Sequence, residues 1–345
     1  MSETIAKITI SDIARKLNIT AATVSRALND HPAIKESTKK AVKKAALELN
    51  YQPNRLASSL RLGKSNIIGA IIPSAEINFF GSVIHGIEKV ANENNYNVLI
   101  YQTNELYEFE KKGVQTFLRS QVDGVLASIS KETINLDHYS EIKKRGVPLI
   151  LFDRVSDELD VSSVVVNDYA GAFTATKHLI EQGCRRIAHI GGQQHVTIFN
   201  KRLKGYIDAL NVHNIPVNDD LIVYGKVSIE SGKDCMQKLL EGKQYPDAVF
   251  AVEDFTALGA IQVIKAANKK IPDDIAIIGF ANEAFGEYLT PSLSTVNQQT
   301  VHMGEEAAKL FFDGLGETDI YKSKSRKLVL EPELICRQSS IKSYK

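Results

Sequence analysis

The chain is poor in cysteine and has no long apolar run. Cys184, Cys235 and Cys336 lie far apart, are odd in number and show no Cys-x-x-Cys spacing. That excludes a disulfide scaffold and a cysteine metal knuckle, and leaves reduced core thiols. No apolar stretch approaches the roughly 20 residues that span a bilayer. The first apolar run is broken by charge, so neither a membrane anchor nor a secretory leader is expected. The expected location is the cytoplasm. Enzyme signatures are also missing. Gly191-Gly192 is no dinucleotide fingerprint, and no Gly-x-x-x-x-Gly-Lys, Gly-x-Ser-x-Gly or His-Glu-x-x-His occurs. The eight histidines are scattered. His189 and His195 flank a strand end without a partner at ligand spacing, and a structural role outweighs a catalytic one. No catalytic residue, metal or cofactor is expected; binding is favoured over chemistry.

What is present is an uneven distribution of charge. Residues 1–63 carry 11 Lys and Arg against 5 Asp and Glu, while the rest carries 31 against 36. A near-neutral total therefore hides a basic head on an acidic body, the electrostatic footprint of a phosphate-binding module.

The head reads as two short helices and a tight turn. Thr9 with Asp12 three residues later forms a capping-box pattern. Ile10, Ile13, Ala14 and Leu17 place one apolar stripe on the first helix. Asn18 sits at the turn and tolerates a left-handed backbone. Thr20 can cap the second helix. Val24 and Leu28 face back, and Ala21, Ala22, Ser25, Arg26 and Asn29 remain outside. This is the layout of a helix-turn-helix DNA reader; an ordinary helical hairpin is the alternative. A third amphipathic helix turns Val42, Ala45, Ala46 and Leu49 inward. Its Lys39, Lys40, Lys43 and Lys44 read as long-range attraction rather than base contacts.

Pro53 then interrupts the backbone, and Asn54 can cap a further helix over roughly 54–61, too short to stand alone in water. Leu56 and Leu60 share one side of it, with Ala57 between. A paired copy could bury that side, and a leucine could wedge into the minor groove. A plain linker is the competing reading.

The body is long enough for two lobes. Apolar runs at 66–72, 98–101, 124–127 and 148–152, and again at 187–190, 221–224, 248–251 and 275–279, alternate with helical patterns near 82–94, 106–120, 168–182, 200–213, 229–241 and 255–268. That alternation predicts two doubly wound parallel sheets whose ligands bind at the carboxyl ends of the strands.

With Thr23-Val-Ser-Arg-Ala-Leu-Asn29, Leu49-Asn-Tyr-Gln-Pro-Asn-Arg55 and Ser59-Leu-Arg-Leu-Gly-Lys64 in place, the chain resembles the lactose-repressor/galactose-repressor family of bacterial transcription regulators. Phe152-Asp-Arg154, Arg202-Leu-Lys-Gly-Tyr206 and Ile278-Gly-Phe280 support the likeness over nearly the full length. The resemblance implies a helix-turn-helix headpiece over 1–53, a hinge helix over 54–63, and a periplasmic-binding-protein-like α/β core over 64–345. The first lobe is expected near 66–166 and 298–323, the second near 167–297 and 324–340, with three crossings between them. It implies a homodimer on operator DNA. The DNA-facing set is then Thr9, Thr20, Ala21, Ala22, Thr23, Ser25, Arg26, Asn29, Tyr51, Asn54, Ala57 and Leu60. Without a leucine heptad tail near Lys345, a tail-built tetramer is not expected.

For the effector, Phe79 and Phe80 could stack on a sugar ring or be core aromatics. By resemblance Asp153 contacts hydroxyls, Arg202 reaches the ligand, and Asn200 opens the same helix. A structural ion pair competes for Arg202. Two departures stand out. The family's frequent Ala-Asn-Asp is Val252-Glu253-Asp254, and its frequent Gly-Phe-Asp-Asp is Gly279-Phe280-Ala281-Asn282. Losing an anion beside Arg202 would suit a sugar acid or sugar phosphate; Glu253 argues the other way. The expectation is a repressor governed by a carbohydrate-type effector, with a sugar acid among the candidates. A cytosolic sugar-binding or sugar-processing protein with an incidental basic head, and an architectural DNA protein, are the alternatives.

Overall fold

The computed structural model describes residues 8–51, 64–242, 245–315, 321 and 324–342. The expected hinge segment, with Asn54, Ala57 and Leu60, lies outside the described residues. The chain divides into two compact units, 1–65 and 66–345.

The first unit holds α1 (Ile10–Leu17), α2 (Ala21–Leu28) and α3 (Glu36–Glu48). The three helices close on Ile13, Val24, Ala27, Val42 and Ala45, with Ile10, Leu17, Leu28 and Leu49 at the edge. The inward stripe of α2 is thus Val24 and Ala27, with Leu28 only partly covered. Asn18 ends α1 in the left-handed region, at φ 53° and ψ 44°. Lys16 of α1 pairs with Glu48 of α3 at 2.6 Å.

The second unit contains two lobes. In the first, β1 (Ile67–Ile72), β2 (Asn97–Gln102), β3 (Gly124–Ala127), β4 (Leu149–Phe152), β5 (Ser163–Val166) and β11 (Lys327–Leu330) form one sheet in the order β11-β5-β4-β3-β1-β2. Every pairing in it is parallel. Apolar clusters cover both faces, one including Phe80, Ile87 and Phe311, the other Val114, Phe117 and Tyr139. The helices are α4 (Asn78–Glu93), α5 (Tyr107–Arg119), α6 (Asp137–Lys144) and α12 (Thr300–Gly314). α4 and α12 pack together so closely that a Cβ on Gly86 would sit 2.1 Å from the Val301 carbonyl oxygen, and one on Gly304 2.0 Å from that of Val83. Hydrogen is the only side chain that fits there.

In the second lobe, β6 (Ile187–Gly191), β7 (Ile222–Tyr224), β8 (Ala248–Ala251) and β9 (Ala276–Ile278) pair in parallel in the order β7-β6-β8-β9. Around them lie α7 (Asp168–Glu181), α8 (Thr197–Val212), α9 (Ile229–Glu241), α10 (Asp254–Ala266) and the short α11 (Phe285–Tyr288). A small antiparallel ribbon, β10 (Thr295–Asn297) with β12 (Glu333–Ile335), completes the lobe.

The chain passes between lobes after β5, after β10 and after β11. One expected boundary is corrected. The resemblance implies that residues 324–340 belong to the second lobe, but β11 extends the first-lobe sheet, with Lys327–Leu330 in register with Ser163–Val166. The crossing falls between Leu330 and Glu333. A four-residue edge strand with alternating exposure carries too little apolar signal to declare its sheet. Neither β5 nor the antiparallel ribbon is visible in the apolar pattern.

Candidate functional site

The headpiece is organised by its caps. The Thr9 backbone N–H and hydroxyl both donate to the Asp12 carboxylate, at 2.9 and 2.7 Å. Those bonds hold Asp12 below the usual carboxylate range. The Thr20 hydroxyl accepts from the Thr23 N–H at 3.1 Å and lies 2.9 Å from the Thr23 hydroxyl, fixing the start of α2. α2 then presents Ala21, Ala22 and Arg26 fully to solvent, with Thr23 and Ser25 half-buried. Arg26 has no ion pair with a described residue. Asn29 is exposed, but its side-chain amide donates to the Ser25 carbonyl at 2.8 Å, so part of its hydrogen-bonding capacity is spent on its own helix. Tyr51 packs against the headpiece core. Of the four lysines, Lys39 is paired with Glu36 and Lys43 with Asp30, at 2.8 and 2.7 Å; Lys40 and Lys44 remain exposed.

The core has its cavity where sheet topology puts it. In each lobe the chain reverses its winding direction at the first strand, and loops diverge there beyond the carboxyl ends. A cavity of about 400 Å³ lies between the lobes. The first lobe contributes Glu76, Ile77, Phe79 and Phe80 after β1, Lys131 after β3, and Asp153 and Arg154 after β4. The second contributes Phe199 and Arg202 from α8, Val227 to Glu230 after β7, Glu253 and Phe255 after β8, and Ala281 and Glu283 after β9. Phe79 and Phe80 meet edge to face, ring centres 5.0 Å apart. Three wall residues hold a left-handed backbone: Asp153 at φ 60°, Val227 at φ 58° and Ala281 at φ 123°. Strain of this kind, unfavourable above all for a β-branched valine, gathers at functional sites.

Six of the eight expected effector residues line this cavity: Phe79, Phe80, Asp153, Arg202, Glu253 and Ala281. Asn200 does not; it is exposed on the far side of α8's first turn. Asn282 does not either. Its side-chain oxygen accepts from Arg337 Nη2 at 3.0 Å, because the turn after Ala281 directs it away from the cleft. Lys131, Arg154, Phe199, Phe255 and Glu283 are wall residues that no local pattern singled out for this role.

Arg202 is wholly engaged. Its Nε donates to Asp168 at 2.8 Å, Nη1 to the Val252 carbonyl at 2.7 Å and Nη2 to Gln298 at 3.2 Å, while its carbon centre lies 3.6 Å from the centre of the Phe280 ring. Arg154 and Lys131 share the Glu105 carboxylate, at 2.7 and 3.4 Å. The second-lobe wall is acidic. Burial, with Asp254 and Glu283 nearby, pushes Glu253 up to about 8. Burial raises Glu283 to about 7 and Asp153 to about 6. The cavity therefore offers phenyl faces and hydrogen-bonding carboxyl groups but no uncompensated guanidinium.

The two singled-out histidines separate. His189 is buried, bonds the Phe250 carbonyl at 3.1 Å and stacks between Tyr206 and Phe250. Burial lowers it to about 4, so it is a neutral core residue. His195 lies 2.7 Å from the Lys131 carbonyl oxygen across the cleft. Among the described residues, no cluster of His, Cys, Asp and Glu could hold a metal, and no helix is long and apolar enough to cross a membrane.

Comparison with known proteins places these features. The family model described as bacterial regulatory proteins, lacI family, matches residues 9–54, and that of a periplasmic binding protein-like domain matches residues 176–340. The HTH-type transcriptional repressor CytR of Escherichia coli is 33% identical over 332 residues, 96% of each chain. The solved complex of the transcriptional regulator CelR with cellobiose is 29% identical, covers 96% of this chain and 99% of its own, and has a TM-score of 0.73. A LacI family regulator from Enterococcus faecium with bound ribose is 26% identical over 79% of this chain and 98% of its own, with a TM-score of 0.69. The chain belongs to the lacI family of bacterial regulatory proteins: it is a DNA-binding transcriptional regulator under small-molecule control.

Proposed function

We propose that this regulator is a homodimeric repressor whose grip on a near-palindromic operator is set by a neutral, hydroxyl-rich carbohydrate bound between the core lobes. The observation that carries this reading is the cavity wall, where four phenyl rings face carboxyl groups. Aromatic faces suit the apolar face of a sugar ring, and carboxyl groups accept from its hydroxyls. The cellobiose and ribose complexes of similar proteins support that chemistry. The expectation of an acidic ligand rested on a missing anion beside Arg202, and Asp168 supplies that anion. For the dimer, the edge strand β2 leaves Leu99 and Ile100 exposed by 42% and 46%, apolar surface that a second copy can cover. In the headpiece, Arg26 and Asn29 read base edges, and Ala21 and Ala22 offer only apolar contact, as to a thymine methyl.

A thermal-shift screen of the full chain against neutral sugars, uronates and sugar phosphates tests the reading, because a cleft ligand stabilises the fold by an amount that grows with the logarithm of its concentration over its Kd. Stabilisation by a neutral sugar, followed by a change in operator affinity with that sugar, is expected. Stabilisation by uronates or sugar phosphates alone overturns the neutral-ligand assignment. A ligand that binds without altering operator affinity overturns the coupling.

A further inference from the structure

The helix that carries the aromatic wall has no cap of its own. α4 follows Ile77, whose side chain offers no hydrogen-bond acceptor; the Ile77 carbonyl takes the Phe80 N–H at 3.1 Å, which leaves the Phe79 amide just before it without a cap from its own segment. A carboxylate from the other lobe meets them. Glu283 Oε1 accepts the Phe79 N–H at 3.3 Å across the cleft. Glu283 is 2% exposed, and it is held in place from behind. Its own N–H donates to Asp254 Oδ2 at 2.7 Å, and Asp254 Oδ1 in turn accepts the Thr295 hydroxyl at 2.7 Å. Positive φ at Ala281 and Asn282 turns the chain so that Glu283 enters the cavity where Ala281 offers only a methyl group.

We propose that Glu283 is an interlobe latch: by capping the N-terminus of α4 from the opposite lobe, it holds the cleft closed and sets the Phe79–Phe80 wall against the effector. The bond from the Phe79 amide to the Glu283 carboxyl oxygen favours the closed form, and opening leaves that amide to water. Glu283 is therefore a positioning residue. It acts through α4, and it ties closure to the same wall that contacts the ligand. The inference rests on the interlobe cavity being the effector site.

The test uses the full-length, effector-free protein. Spin labels on non-natural residues at the exposed positions Asn104 and Lys226, one per lobe, report the interlobe distance; a 15N label reports the Phe79 amide. Glu283→Ala is expected to raise the open population up to about tenfold, the upper end for one lost hydrogen bond, and to move the Phe79 amide upfield. Glu283→Gln keeps an acceptor without the charge, and is expected to restore the Phe79 resonance and most of the closed population. A Glu283→Ala protein that folds and leaves both readings unchanged overturns the latch. If the alanine variant does not fold, Glu283→Met, which keeps the side-chain length but offers no oxygen acceptor, takes its place: a shifted Phe79 amide with a wider interlobe distance supports the latch, and unchanged readings overturn it. Neither reading needs a sugar to bind, so the latch and the effector assignment fail separately.

Discussion

Asp168 and Arg202 form an ion pair at 2.8 Å in which each side chain is only 2% exposed. The pair joins the first turn of α7 to α8, so Arg202 meets the cavity wall already neutralised. Such a pair is expensive to break from one side, because the remaining charge stays buried. Asp168→Ala is expected to cost about 3–5 kcal/mol, and the double variant with Arg202→Leu to recover part of that loss. Urea unfolding followed by circular dichroism measures both. A single-variant loss below about 1 kcal/mol, the size of a surface pair, contradicts a structural role for this arginine.

The headpiece should separate reading from attraction. Arg26→Ala is expected to cost about 1–3 kcal/mol of operator binding and to relax discrimination at one base pair. Lys40→Ala should weaken binding evenly across sequences and lower the salt dependence by about one phosphate contact. Lys43→Ala should do less than Lys40→Ala, since Lys43 is already matched by Asp30 at 2.7 Å. Fluorescence anisotropy with a selected genomic fragment and bulk duplex, at several salt concentrations, resolves the three. Equal salt slopes for both lysine variants would show that the Asp30 pair does not persist in solution.

Glu253 gives the core a defined response to pH. Its folded-state value, about 8, lies above the ordinary 4.5 because burial and two neighbouring carboxylates penalise the anion. The protonated form therefore belongs to the folded state. The stability it contributes is complete below about pH 4.5 and is lost as pH rises toward 8. Relative to Glu253→Gln, the wild-type chain should lose on the order of 2–4 kcal/mol between pH 5 and 8. Parallel pH profiles for the two proteins would place an unseen cation beside Glu253.

Much of this arrangement was legible in the sequence because it is local. The Thr9–Asp12 box, the left-handed Asn18 and the Thr20 cap each depend on residues within four positions, and the continuous Val and Ile runs declare buried parallel strands directly. The cavity wall was only half legible. Phe79, Asp153 and Glu253 follow strands in an obvious way. Glu283 and Lys131 reach the site through turns whose backbone angles no side-chain pattern encodes. The partner of Arg202 was missed for a related reason: Asp168 lies 34 residues earlier, and only the packing of α7 on α8 brings them together. The resemblance drew attention to position 281, where an acid is absent. The fold supplies one from position 283 instead.

The path of the backbone has a practical outcome. Neither half of the sensor is a continuous stretch of polypeptide, since the last helix of the first sheet and its edge strand β11 are synthesised after the whole four-stranded sheet of the second. A truncation near residue 297 would strip the opposite half of α12 and leave Gly86 facing solvent. Excising one half as a stand-alone fragment should give an aggregating product. Transplanting ligand preference between relatives calls for exchange of the entire 66–342 unit, or of individual wall residues, with all three connecting strands kept intact.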